Sequence, residues 1–298
     1  MAPLVPDPRK GVLLMVGAGL CWSTGGLFVR NVTLADPWEI VLWRSLFMVV
    51  FLAGTIIAMH RSAALAKVHA VGRSGVLSGL LLASTFFFFI GSITHTTVAN
   101  TLALMSTGPL FVALAGRAFL GETVHARTWA AIAVALAGIA LMFAEGLDGG
   151  RTAGNLLALG VPIAFALNVV VLRRTHADID MVPAVMLAGL FSIVFAAPLA
   201  LPLQASASDV ATLAGMGILQ LGLGCLLMTL ATRHLPAGEI GLFALLETIL
   251  GPLWVWLGVG ERPSDLAIVG GAVVVGAVVA NHWASSRAAA RAAATAGC

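Results

Sequence analysis

Apolar residues in this chain run in blocks of about twenty, divided by short stretches that hold most of its Arg, Lys and Asp. A helix rises ~1.5 Å per residue and a hydrocarbon core is ~30 Å thick, so about twenty apolar residues cross it. The blocks predict spans at about 11–30, 38–59, 72–92, 96–117, 128–144, 154–172, 181–201, 209–230, 236–258 and 265–283. A membrane barrel would instead show alternating segments of ~10 residues, which are absent. The expected fold class is an all-α integral membrane protein of ten transmembrane helices.

Two of these blocks resemble one another. His95 to Glu122 reads HTTVANTLALMSTGPLFVALAGRAFLGE, and His234 to Glu261 reads HLPAGEIGLFALLETILGPLWVWLGVGE. Each begins at His and reaches Gly-Glu after the same number of positions. Five spans precede the Glu145–Gly154 connection and five follow it, so the two halves enter the membrane from opposite sides. An odd-numbered repeat must therefore be inverted, with its pseudo-two-fold axis in the membrane plane. Residues 1–148 form the expected first five-helix repeat, 149–283 the second, and the Ala-rich 284–298 a frayed tail.

Composition agrees with a membrane protein: 60% of residues are hydrophobic, 10% are charged and the mean hydropathy is +1.02. The N-terminal MAPLVPDPRK resembles a signal-peptide leader, but nine further blocks follow, which favours a retained first span. A net charge of +3 could suggest nucleic acid, yet the basic residues are scattered singly over loops. They report orientation instead. With the N-terminus inside, Arg9, Lys10, Arg61, Lys67, Arg73, Arg117, Arg127, Arg173, Arg174, Arg233, Arg287 and Arg291 are cytoplasmic, against Arg30, Arg151 and Arg262 outside. Both termini are expected in the cytoplasm. The three cysteines suggest no disulfide framework, and the absence of CxxC, HExxH and a Walker-type phosphate loop gives no support for a metal site or ATP hydrolysis. No cofactor is expected.

A few polar residues fall inside the spans. Glu247 lies near the middle of the ninth, where a lipid-facing charge would cost several kcal/mol, so it is expected to face the interior. It either marks a substrate or proton path or serves as a packing acid bonded to a neighbouring helix. Arg44 is the one basic residue inside a span; it suits a substrate carboxylate, or pairing with an acid such as Glu39, or capping of helix carbonyls. Trp22 is too deep for an interfacial belt and could wall a cavity. Asn100, Asn168 and Gln220 suit helix-to-helix bonding.

The Pro-containing span running into Gly-Glu, at Pro109 to Gly121-Glu122 and again toward Gly260-Glu261, resembles the EamA-type half of the drug/metabolite transporter superfamily. So do Trp22-Ser23 late in span 1, Arg44 in span 2 and the Arg173-Arg174 pair closing span 6. The resemblance covers all ten spans. In the family the late span of each half often reads Glu-Pro. Here the first half keeps the proline with Gly108 in place of the acid, and the second keeps the acid as Glu247-Thr248. Whatever the carboxylate does is done once.

The resemblance implies an exporter of amino acids or other small metabolites that works by alternating access, most similar to YddG-type amino-acid exporters. It places the protein in a bacterial inner membrane, in contact with lipid, as a monomer or homodimer. Asn100 and Asn168 gain a role from it, since spans 4 and 6 belong to the family's cavity-lining set. The expected substrate-binding residues are Glu247, Arg44, Trp22, Ser23, Asn100, Asn168 and Trp254. The alternatives are an intramembrane enzyme, for which the spans offer no pair of aspartates, and an exporter of drug-like or other metabolites.

Overall fold

The computed structural model describes residues 7–34, 36–96, 98–142, 152–175, 181–260 and 265–296. Seven helical stretches are long and apolar enough to cross a membrane: Pro8–Val29, Pro37–Ala70, Gly72–Ser92, Asn100–Leu120, Thr152–Thr175, Ala207–Ala231 and Ala237–Gly258. Ala126–Met142, Val182–Ala196 and Ile268–Ala284 are shorter apolar helices that complete the ten. The protein is all-helical among the described residues.

Local chemistry sets where the helices begin and end. Asp7 accepts from the Arg9 and Lys10 amides and Pro8 opens α1 (Pro8–Ser23); Asp36 and Pro37 do the same for α3 (Pro37–His60). Between them lies α2 (Gly25–Arg30), and after them α4 (Ala64–Ala70) and α5 (Gly72–His95). The fourth span divides into α6 (Val98–Met105) and α7 (Gly108–Leu120), followed by α8 (Ala126–Met142), α9 (Thr152–Thr175) and α10 (Val182–Ala196). Span 8 is α11 (Ala207–Gly215), a π-helical stretch Met216–Leu223 and α12 (Gly224–Ala231). The ninth divides into α13 (Ala237–Ala244) and α14 (Leu246–Val259), and α15 (Asp265–Ala296) is last. The 284–298 tail, expected to fray, continues this helix to Ala296.

Three spans expected to be continuous are kinked instead. At Thr24, Thr107 and Leu245 the amide bonds three residues back, to Cys21, Leu104 and Leu242. The Thr24 and Thr107 hydroxyls bond the same carbonyls, at 2.6 Å each. Pro109, lacking an N–H, cannot continue the ladder across the second of these kinks.

The kinks also set the repeat register. The same separation divides Met105 from Ala244, where α6 and α13 end, Leu120 from Val259, where α7 and α14 end, and Gly121 from Gly260. Both glycines close their helices in the left-handed region, φ +66° and +79°, where an L side chain would be strained. The packing obeys the same exchange of halves. Span 3 packs on span 6 through α5 and α9, and span 8 on span 1 through α12 and α1. Span 2 meets span 8 as span 7 meets span 3. Spans 2 and 7, 4 and 9, and 5 and 10 meet across the pseudo-axis.

Loops distinguish the two ends of the bundle. At one, the Asp7 amide meets His234 and Arg173 meets Glu122; at the other, Thr33 meets Asp209 and Thr96 meets Asn155. These are the Arg173 end and the Asn155 end below.

Spans 5 and 10 approach by their backbones: a Cβ added at Gly138 would lie 2.8 Å from the Gly270 carbonyl oxygen. The small-residue stripe Ala131, Ala135 and Gly138 of α8 is buried there. On α15 the small-residue stripe Ala272, Gly276 and Ala280 is exposed, and the helix instead buries Gly270, Gly271, Val274, Ala277 and Val278.

Candidate functional site

Glu247 sits in the first turn of α14, just past the Leu245 kink. The kink brings Thr248 to the corresponding break in the first repeat, where its hydroxyl lies 3.1 Å from that of Ser106. Nearly all of α13 is buried, whereas every residue from Leu246 to Pro252 keeps accessible surface on all faces of the helix. α14 itself packs on α1, α2 and α15. Among the described residues no donor or cation is bonded to the Glu247 carboxylate.

Span 1 walls the same region. Trp254 donates its indole N–H to Ser23 Oγ at 2.8 Å, and Ser23 donates to the Leu20 carbonyl at 2.7 Å. Trp22 packs on α12, where a Cβ added at Gly224 would lie 2.6 Å from the indole, and meets Phe165 edge-on, ring centroids 6.2 Å apart.

Arg44 is only 4% exposed, and its guanidinium carbon lies 5.2 Å from the centre of the Phe86 ring. Its Nε has no hydrogen-bond partner. The Glu39 pairing suggested by sequence is not made. The Glu39 carboxylate accepts the backbone amides of Gln204 and Ala205 at 2.9–3.0 Å and the Trp43 indole at 3.2 Å, which ties α3 to the loop before α11.

Trp22, Ser23 and Trp254 thus gather beside the Thr24 kink and Glu247 follows the Leu245 kink, while Arg44 lies on α3 against Phe86. Asn100 and Asn168 lie elsewhere. Asn100 bonds Thr96 and Asn155 at the Asn155 end, and the Asn168 carbonyl accepts from Ser78 at 2.6 Å, toward the Arg173 end. Both join helix to helix. Cys225, Ser106 and Thr248 carried no signal in the sequence, being small residues in apolar blocks. Gln220 was legible only as a packing amide. It is 8% exposed, its Oε1 has no partner, and it lies in the π-helical stretch, a wide turn that recurs at functional sites.

The EamA-like transporter family profile matches residues 9–144 and 152–281. The chain belongs to that family, and its two matched segments are the two five-helix halves. A protein of Vibrio cholerae serotype O1 described as an uncharacterized transporter is 25% identical over 200 residues, 66% of this chain and 64% of that protein. The alignment thus spans somewhat under two thirds of that relative. A solved crystal structure shares the fold with a TM-score of 0.80 at 18% identity, over 94% of this chain and 99% of the other.

Proposed function

We propose that this EamA-family transporter is an ATP-independent carrier that exports amino acids or related small metabolites by alternating access around Glu247. The observation that carries the reading is a pair of opposite charges inside the bundle that meet no counter-ion among the described residues, Glu247 just past the Leu245 kink and Arg44 against the Phe86 ring. A zwitterion presents an ammonium to the carboxylate and a carboxylate to the guanidinium fork. The aromatic walls of Trp22 and Phe86 suit an apolar side chain. The Lys and Arg asymmetry supports an inner membrane with both termini cytoplasmic.

Counterflow of a radiolabelled amino-acid panel into liposomes containing only this protein tests the proposal. The expected result is saturable exchange without ATP, competed by zwitterions and not by analogues lacking either charged group. Strict ATP dependence would overturn it, and chemical conversion of the substrate without net movement would favour an enzyme. Competition by hydrophobic cations alone would point to a drug exporter, which the aromatic walls also suit.

A further inference from the structure

Spans 4 and 9 meet very unequally at the two ends of the bundle. At the Arg173 end α7 and α13 are closely packed: a Cβ at Gly116 would lie 2.9 Å from the Ala237 Cβ, and one at Gly241 2.9 Å from the Pro109 Cα. Exchange of the halves maps this pair onto α14 and α6, which make no comparable contact at the Asn155 end. Leu102 to Met105 of α6 and Leu246 to Pro252 of α14 keep accessible surface, while α13 is buried on nearly every face. The structure is therefore shut at one end and parted at the other, with Glu247 on the parted side of the crossing.

One ion pair ties the shut end. Arg173 Nε donates to Glu122 Oε1 at 2.7 Å, and its Nη1 donates to the carbonyls of Thr232, at 3.0 Å, and Leu235. Glu122 Oε2 accepts from the Ala237 amide at 3.0 Å. That amide opens α13 and has no partner within its own helix, and a carboxylate there also meets the positive end of the helix dipole. The αL turn at Gly121 delivers Glu122 to this position. Two side chains thus join the ends of α7 and α9 to the turn before α13.

We propose that Glu122 and Arg173 are positioning residues of the transport cycle: their pair holds the carrier closed at the Arg173 end, and it must part for Glu247 to be reached from that side. When α13 leaves α7, the Ala237 amide loses its carboxylate and the Glu122–Arg173 pair loses the surroundings that align it. Removing the pair shifts the population toward the opposite state, in which α6 and α14 close. The proposal rests on alternating access and not on which metabolite is carried, so its test needs no substrate.

The test is hydrogen exchange of the full chain in nanodiscs, comparing wild type with Glu122→Gln. Amides of Ala237–Gly241 should exchange at least about tenfold faster, the factor that loss of one charge-assisted bond implies. Those of Leu102–Met105 and Leu246–Leu250 should slow. Faster exchange at both ends would mean that the pair only stabilises the fold, and unchanged exchange that it holds nothing shut; either would overturn the proposal. Arg173→Lys keeps the charge and loses the guanidinium fork, and serves as the variant to measure if Glu122→Gln does not fold. The same opposed changes are expected of it, and the same two outcomes would refute the proposal.

Discussion

Glu247 stands where the first repeat has Gly108, each in the first turn after the kink of its half. The two kinks touch through Ser106 and Thr248, so the one acid of an otherwise paired arrangement sits beside the crossing of spans 4 and 9. A carboxylate placed once on a pseudo-two-fold axis makes the site directional in charge although the scaffold is symmetric in path.

Arg44 is a buried cation without an acid. A buried charge left without a partner is strongly unfavourable, and an apolar side chain of similar volume removes that cost. Arg44→Leu should therefore raise the unfolding temperature or leave it unchanged, while substrate affinity falls at least about tenfold. A drop in unfolding temperature with unchanged affinity would show a structural arginine.

Glu39 should behave in the opposite way. Its carboxylate satisfies two backbone amides and an indole, and truncation to alanine leaves these donors unpaired at about 1–3 kcal/mol. Glu39→Ala should lower thermal stability and leave the Kd of the folded protein unchanged. A large change in Kd without loss of stability would place Glu39 in the site.

His234 provides a pH-dependent contact outside the spans. Its Nδ1 accepts the Asp7 amide at 3.1 Å, which requires the neutral ring. Burial, and then the nearby Lys10 charge, hold its pKa below the usual histidine value. A depressed histidine pKa means that the unfolded chain binds more protons in that window. The contribution to stability is then complete above the ordinary value of ~6.5 and is lost as pH falls through the folded value. In an NMR titration the ring should titrate below ~6.5 with the Asp7 amide resonance following it. A midpoint at or above that value would contradict the contact.

Spans 5 and 10 offer a packing test. Gly270→Leu places a side chain against the backbone of α8, where even a Cβ would lie 2.4 Å from the Gly138 carbonyl oxygen, and should lower the unfolding temperature sharply. Gly276→Leu, with nothing within 4 Å, should be tolerated. Equal effects would mean that the two helices meet by another face.

Hydrophobic blocks, the Gly-Glu repeat and the loop charges made the ten spans and the inverted halves legible, because membrane crossing imposes length and polarity on every segment. The buried face of α15 was not legible: Ala272, Gly276 and Ala280 form as regular a small-residue stripe as the one in contact, and in lipid both faces are apolar. The Thr24 and Leu245 kinks carry no proline, so composition did not announce them. Glu39 lies only five positions from Arg44 yet bonds a loop far along the chain, and nearness in sequence gave a false partner. Glu247 was singled out because one acid in an apolar span is visible in any reading.

Transport as proposed depends most on that acid meeting the substrate. For the reconstituted Glu247→Gln protein, calorimetry with the best amino-acid substrate should show binding weakened by ~2 kcal/mol or more, roughly thirtyfold, as a charge-assisted bond is lost. The unfolding temperature should remain near that of wild type. A well-folded variant with unchanged Kd, exchange rate and pH dependence would contradict the account and leave Glu247 a packing acid.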